Sequence, residues 1–183
     1  MPVPFRNAAE SEAGGSAAFF RVKRAVSNSM VSAGLLQVNG RGEPVEFTLS
    51  RVDQPSGALW PEAGSELIAA RALAVSLFET AQRTPLVLLC LASETVPRLF
   101  VEELRVQIPV CRVSSRGDGS DRGELIEEFA QGDDKVRLEW HPRVPGTHSP
   151  VRRLILSLAT RDLLLEPFDR VIAGIDEELV ESS

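Results

Sequence analysis

The residues able to do chemistry in this chain are few, and they are scattered. His141 and His148 are its two histidines and Cys90 and Cys111 its two cysteines, while Asp53, Glu66 and Glu94 are carboxylates set near the ends of apolar runs. Two imidazoles in one proline-rich loop could join Asp133 or Asp134 around a metal, but structural zinc takes four ligands and catalytic zinc usually three at set geometry. Exposed loop histidines are the better reading. The cysteines lie inside "LVLLCLA" and "VQIPVCRV", where a thiol acts as a small hydrophobe, so buried free thiols are expected. Glu94 draws more interest, because ligands of α/β sheets favour the crevice beyond the carboxyl ends of parallel strands. Ser93, Glu94 and Thr95 also suit a helix cap, satisfying free amides and complementing the dipole, and capping is the preferred account. No Gly-x-Ser-x-Gly elbow is present.

Two glycine-containing stretches invite chemistry and answer to geometry. A phosphate loop needs a strand, glycines and then a helix whose first amides face the anion. In "LLQVNGRGEPVEFTLSRV" Gly40 and Gly42 are followed by Pro44 and a second β-prone run, which makes a hairpin turn. The stretch "SRGDGSDRG" offers Asp118 and Asp121 but then Arg122, without the regular oxygens and closing Glu of a calcium loop. It reads as a solvated loop, its Arg116-Gly117-Asp118 tripeptide included.

Elements must position whatever site exists, and the bulk numbers allow one core. With 183 residues, 43% hydrophobic and 25% charged, the chain has ordinary globular composition. A tail over residues 1–17 and one α/β domain over 18–183 are expected. The N-terminus lacks an apolar signal core, and no run approaches the ~18 apolar residues of a membrane span. A cytoplasmic setting and no membrane contact follow as expectations. The formal charge of −6 and pI near 5.1 argue against a general electrostatic grip on nucleic acid. The basic candidates for a local one are Arg21, Lys23, Arg24, Arg152 and Arg153.

"FFRVKRAV" alternates as a strand, and the hairpin follows it. After a loose stretch around Trp60, Ser65 reads as N-cap of a helix from Glu66 to about Gln82, carried by Leu67, Ala70, Ala74, Leu77, Phe78 and Ala81. "LVLLCLA" is a central strand covered on two faces. A short helix over Val96–Leu104 is expected, then a strand with Val106, Ile108 and Val110 on one face, placed at an edge or bulged because Pro109 lacks a donor. A helical turn around Glu124–Ala130 precedes the strand "KVRLEW". Residues from Val151 to about Val180 read as a helix broken at Pro167.

The order of three antiparallel strands, helix, buried strand, helix and strand, over Phe19–Val113, resembles the ribonuclease H-like superfamily. The resemblance implies a mixed α/β sheet that opens with an antiparallel meander and continues into parallel βαβ elements, with a long helical C-terminal segment. It also implies a test. Enzymes of that superfamily place an acid mid-way along the first strand, one on the first helix and one at the end of the next strand, and these hold two divalent metals. Here the first strand carries Arg21, Lys23 and Arg24 and no carboxylate. The leading expectation is therefore a non-catalytic interaction or scaffolding subunit without cofactor, self-associating or docking a protein partner, with nucleic acid disfavoured. It would dock through the edge bearing Val106, Ile108 and Val110, through residues 135–140, or through Leu163, Leu164 and Leu165, three successive apolar residues that one helix cannot turn to one core. The alternative is a divergent metal-dependent nuclease or phosphotransferase using Glu66, Glu94 and Asp53.

Overall fold

The computed structural model describes residues 15–24, 30–53, 62–94, 99–115, 125–131 and 134–181. The loose segment around Trp60, the Arg116-Gly117-Asp118 tripeptide and residues 1–14 of the expected tail lie outside them.

Apolar runs of different period sort into sheet and helix as their spacing dictates. The strands are β1 (Ala17–Arg24), β2 (Met30–Val38), β3 (Pro44–Asp53), β4 (Val87–Leu91), β5 (Val110–Ser115), β6 (Ile126–Gln131) and β7 (Asp134–His141). The helices are α1 (Glu62–Thr80), α2 (Pro150–Ala159) and α3 (Glu166–Glu181). The strands form one sheet in the order β3-β2-β1-β4-β5-β7-β6. β1 pairs antiparallel with β2 and β2 with β3, whereas β1 and β4, and β4 and β5, run parallel. β7 and β6 close the far side antiparallel. The architecture is a mixed α/β sheet of the ribonuclease H-like kind.

The two faces of β4 and of the first half of β1 are both covered, as the unbroken apolar runs Val87–Leu91 and Ala17–Phe20 require. Phe20, Leu35, Leu88 and Cys90 pack under Leu73, Leu77 and Phe78 of α1. Phe19, Leu36, Leu89, Cys111 and Trp140 pack on the other face against Leu154 and Leu158 of α2 and Phe168, Val171 and Ile175 of α3. Phe19 meets Phe168 edge-on at 5.0 Å, and Phe20 meets Phe100 at 5.3 Å. Each such burial is worth about 1.5–3 kcal/mol in transfer energy.

The hairpin turn is geometric. Asn39 Oδ1 accepts from the amides of Arg41 and Glu43, and Gly42 takes φ +81°, which a residue with a Cβ adopts only under strain. Its tip is docked on the helices, with Ser157 Oγ donating to the Gly40 carbonyl and Arg170 Nη2 to that of Gly42.

Several expectations are corrected. Residues 126–131 are β6 rather than a helix, because pairing with β7 outweighs a weak local helical pattern. Ser65 lies inside α1, which starts at Glu62. The expected helix over Val96–Leu104 is a single π-helical turn at Leu99–Glu103, with 95–98 outside the described residues. Neither β5 nor β7 is an edge, since β5 sits between β4 and β7 and β7 between β5 and β6. Pro109 needs no edge because it stands just before β5, where its carbonyl accepts from Leu88 N. The C-terminal break comes before Pro167, which occupies the first turn of α3, where a missing amide hydrogen costs nothing.

Candidate functional site

The parallel register of β1 and β4 ends with Phe20 opposite Cys90. Arg21 therefore emerges on β1 just where β4 finishes and the chain turns through residues 92–94, with Glu94 N donating to the Leu91 carbonyl. That turn brings Glu94 back over Arg21. The guanidinium grips the carboxylate at two points, Nη2–Oε1 at 2.6 Å and Nε–Oε2 at 2.9 Å. The side chains are 17% and 24% exposed, so the pair is largely desolvated yet open on one side.

Alternation along β1 decides what joins it. Phe20 and Val22 face α1. Phe19 faces α2 and α3, and period two puts Arg21 and Lys23 on that same side. Lys23 pairs with Asp176 of α3. Opposite Arg21 stands Gly34, where a Cβ would come within 2.7 Å of Val171 Cγ1 and 3.3 Å of Ile175 Cγ1, so the absence of a side chain lets α3 lie close beside the pair. On the other face of the sheet Arg112 donates through Nη2 to the Ala92 carbonyl and through Nη1 to Glu139, at 3.0 and 2.7 Å. Two guanidiniums thus hold the turn after β4 from opposite faces.

The rim so formed carries two carboxylates, Glu94 and Asp176, each neutralised by a cation from β1. A divalent metal, which the fold implies for the enzymes that share it, does not fit here. Both oxygens of Glu94 are taken by Arg21, and among the described residues no three His, Cys, Asp or Glu gather as a metal group. Asp53 is exposed at the end of β3. Its strand lies two places from β1, about 10 Å away at the usual spacing, and Asp53 is four residues past Leu49, the residue level with Gly34. Glu66 is on α1, its side chain outside the described set, and Glu79 is exposed on the same helix. The structure does not bring Asp53 to Glu94.

The remaining candidates fall elsewhere. His141 Nε2 lies 3.2 Å from Glu139 Oε1, while His148 is exposed. Cys90 and Cys111 are buried free thiols, and burial, ahead of the neighbouring Cys90, Glu127 and Glu139, pushes the Cys111 thiol well above its ordinary value. Val110 is buried in β5, and Val106 and Ile108 pack partly buried against the α1-side core. Leu164 is fully buried and Leu163 and Leu165 pack on the same core. They share it because residues 160–165 form a turn with Asp162 at φ +57°, which frees them from helical periodicity. The pairing of Arg21 with Glu94 was not legible beforehand; the one signal for it was a basic residue in an otherwise buried strand.

The sequence matches no family model and no curated protein. The fold has clear likeness among solved structures. Endonuclease V from Streptomyces avermitilis superposes with a TM-score of 0.65 at 14% identity, over 98% of this chain and 88% of that one. Endonuclease V from Ciona intestinalis, in complex with a 24-mer DNA containing an inosine followed by a ribo-adenosine, gives 0.56 at 10% identity over 92% and 87%. Endonuclease V from Bacillus subtilis gives 0.53 at 8% identity over 92% and 82%. At these identities the likeness is one of fold.

These comparisons overturn the expectation of a non-catalytic, self-associating or protein-docking scaffold, since the chain is nuclease-like in fold along nearly its whole length. They also overturn the weight placed against nucleic acid, because a neighbour in fold holds DNA. The physical reason is scale: a net charge sums every surface, whereas charges beyond about 10 Å are largely screened at cellular salt, so local cations decide what a rim attracts. Among the described residues no helix is long and apolar enough to cross a membrane.

Proposed function

We propose that the chain is a nucleic-acid-acting protein on a ribonuclease H-like scaffold, and that it takes a DNA or RNA strand at the rim where β1 and β4 end. The observation that carries this reading is the placement of Arg21 and Lys23 on one face of that rim, at the carboxyl ends of adjacent parallel strands, where sheets of this class receive ligands. The correspondence in fold with a DNA-bound endonuclease supports it. Guanidinium and ammonium groups are among the side chains that contact phosphates. Cys90 and Cys111 as free thiols support a reducing, cytoplasmic setting.

Binding of labelled single- and double-stranded DNA and RNA across a salt series tests the proposal. Binding that weakens linearly in log salt is expected; no binding to any strand at low salt rejects it. The endonuclease likeness favours a second reading, hydrolysis of the bound strand, and the same mixtures analysed for shortened products in EDTA and in Mg²⁺ or Mn²⁺ test that.

A further inference from the structure

The cations of this rim are side chains, and each is already occupied by a carboxylate of the same chain. We infer that the Arg21–Glu94 pair is a placeholder: Glu94 holds the guanidinium in the position where a strand phosphate displaces the carboxylate, so the rim takes a phosphodiester without a divalent cation. The inference rests on the nucleic-acid reading above and adds the chemistry of its ligand.

Four features carry it. A guanidinium fork matches a carboxylate and a phosphate in the same two-point geometry, and Arg21 holds Glu94 through two nitrogens. The exchange is reachable, because 17% and 24% of the two side chains face solvent. It also leaves Arg21 paired throughout, which avoids the large penalty of an unpaired, mostly desolvated charge, while Glu94, at the surface end of a turn, passes into water. Finally, Lys23 stands two residues along the same face, about 6.6 Å on by strand geometry, held by Asp176. A second phosphate of the strand would meet a second placeholder there. A divalent cation, by contrast, would meet Glu94 only after expelling Arg21, and would then be repelled by Arg21 and Lys23.

The sign of one substitution separates this device from a metal centre. If Glu94 competes with phosphate, Glu94→Gln tightens strand binding; if Glu94 were a metal ligand through which the strand is held, the same change would weaken it. The experiment is fluorescence anisotropy of a short labelled single strand with the wild type, E94Q and R21Q, in EDTA and in Mg²⁺ at matched ionic strength. Expected are a tightening of about threefold to tenfold in E94Q, a weakening of about tenfold in R21Q, and a salt slope in R21Q lower by about 0.7. Replacing Mg²⁺ by EDTA should weaken none of these affinities. Damage to folding cannot produce the gain in E94Q. Weaker binding by E94Q, binding that needs Mg²⁺, or unchanged binding by R21Q overturns this inference and leaves the nucleic-acid reading standing. Failure of all three proteins to bind any strand overturns the two together.

Discussion

Arg21 on β1 and Glu94 after β4, separated by 73 positions in the chain, close on each other through two contacts of 2.6 and 2.9 Å. The pair ties the middle of the sheet to the turn that follows it. With both side chains mostly withdrawn from water, losing one partner leaves a poorly solvated charge. Arg21→Glu should therefore cost about 1–3 kcal/mol, and adding Glu94→Arg should recover part of that cost. Urea denaturation of the two single variants and the double variant measures it; additive losses would mean that the pair does not couple.

Gly34 is the point at which α3 approaches the sheet. A methyl there would sit 2.7 Å from Val171 Cγ1 and 3.2 Å from Phe47 Cε2. Gly34→Ala should destabilise the fold by about 1–3 kcal/mol through overpacking, despite the entropy that alanine saves in the unfolded chain. Hydrogen exchange of α3 amides would speed up selectively; an unchanged melting temperature would show that α3 shifts at no cost.

Trp140 is fully buried in β7, and its indole Nε1 donates to Glu127 Oε2 at 2.9 Å. The same oxygen accepts from Arg152 of α2. Glu127→Ala should cost about 1–3 kcal/mol because it strands a buried donor beside an unpaired guanidinium. In the Trp140→Phe background the same substitution should cost less, since the indole donor is already gone. A double-mutant cycle by chemical denaturation reads the difference.

Stability should fall at alkaline pH through Cys111. Burial raises its thiol in the folded protein, so the unfolded chain releases that proton first, near the ordinary value of about 8.5. The favourable contribution is complete below that value and shrinks as pH rises above it. Melting temperatures at pH 8 and pH 10 should differ more for the wild type than for Cys111→Ala. Equal differences would assign the alkaline loss to other groups.

Much of the scaffold is written locally. The unbroken apolar run of β4, the alternation of β7 and the Asn39–Gly42 turn each determine an element by themselves, because pleat, period and positive φ are properties of a few neighbouring residues. The succession of elements over Phe19–Val113 is readable from such runs, whereas their side-by-side order in the sheet was implied only by the resemblance that succession bears. Residues 126–131 were misread as helical because their partner, β7, supplies the reason for their being a strand. The edge expected at 106–113 rests on Pro109, which stands before β5 and leaves its ladder intact, and residues 135–140 are covered because β6 pairs along them.

The site itself belonged almost wholly to the tertiary structure. Arg21 is visible in the sequence as a cation on the polar side of an alternating strand and Glu94 as an acid after a buried one, and each has an adequate local explanation on its own. Only the parallel register that sets Phe20 opposite Cys90, and the turn after Leu91, bring the two within bonding distance. Sequence determined which charges the chain owns. The fold decided which of them share a dielectric, and Coulomb energy depends on separation and surroundings, neither of which a linear order of residues contains.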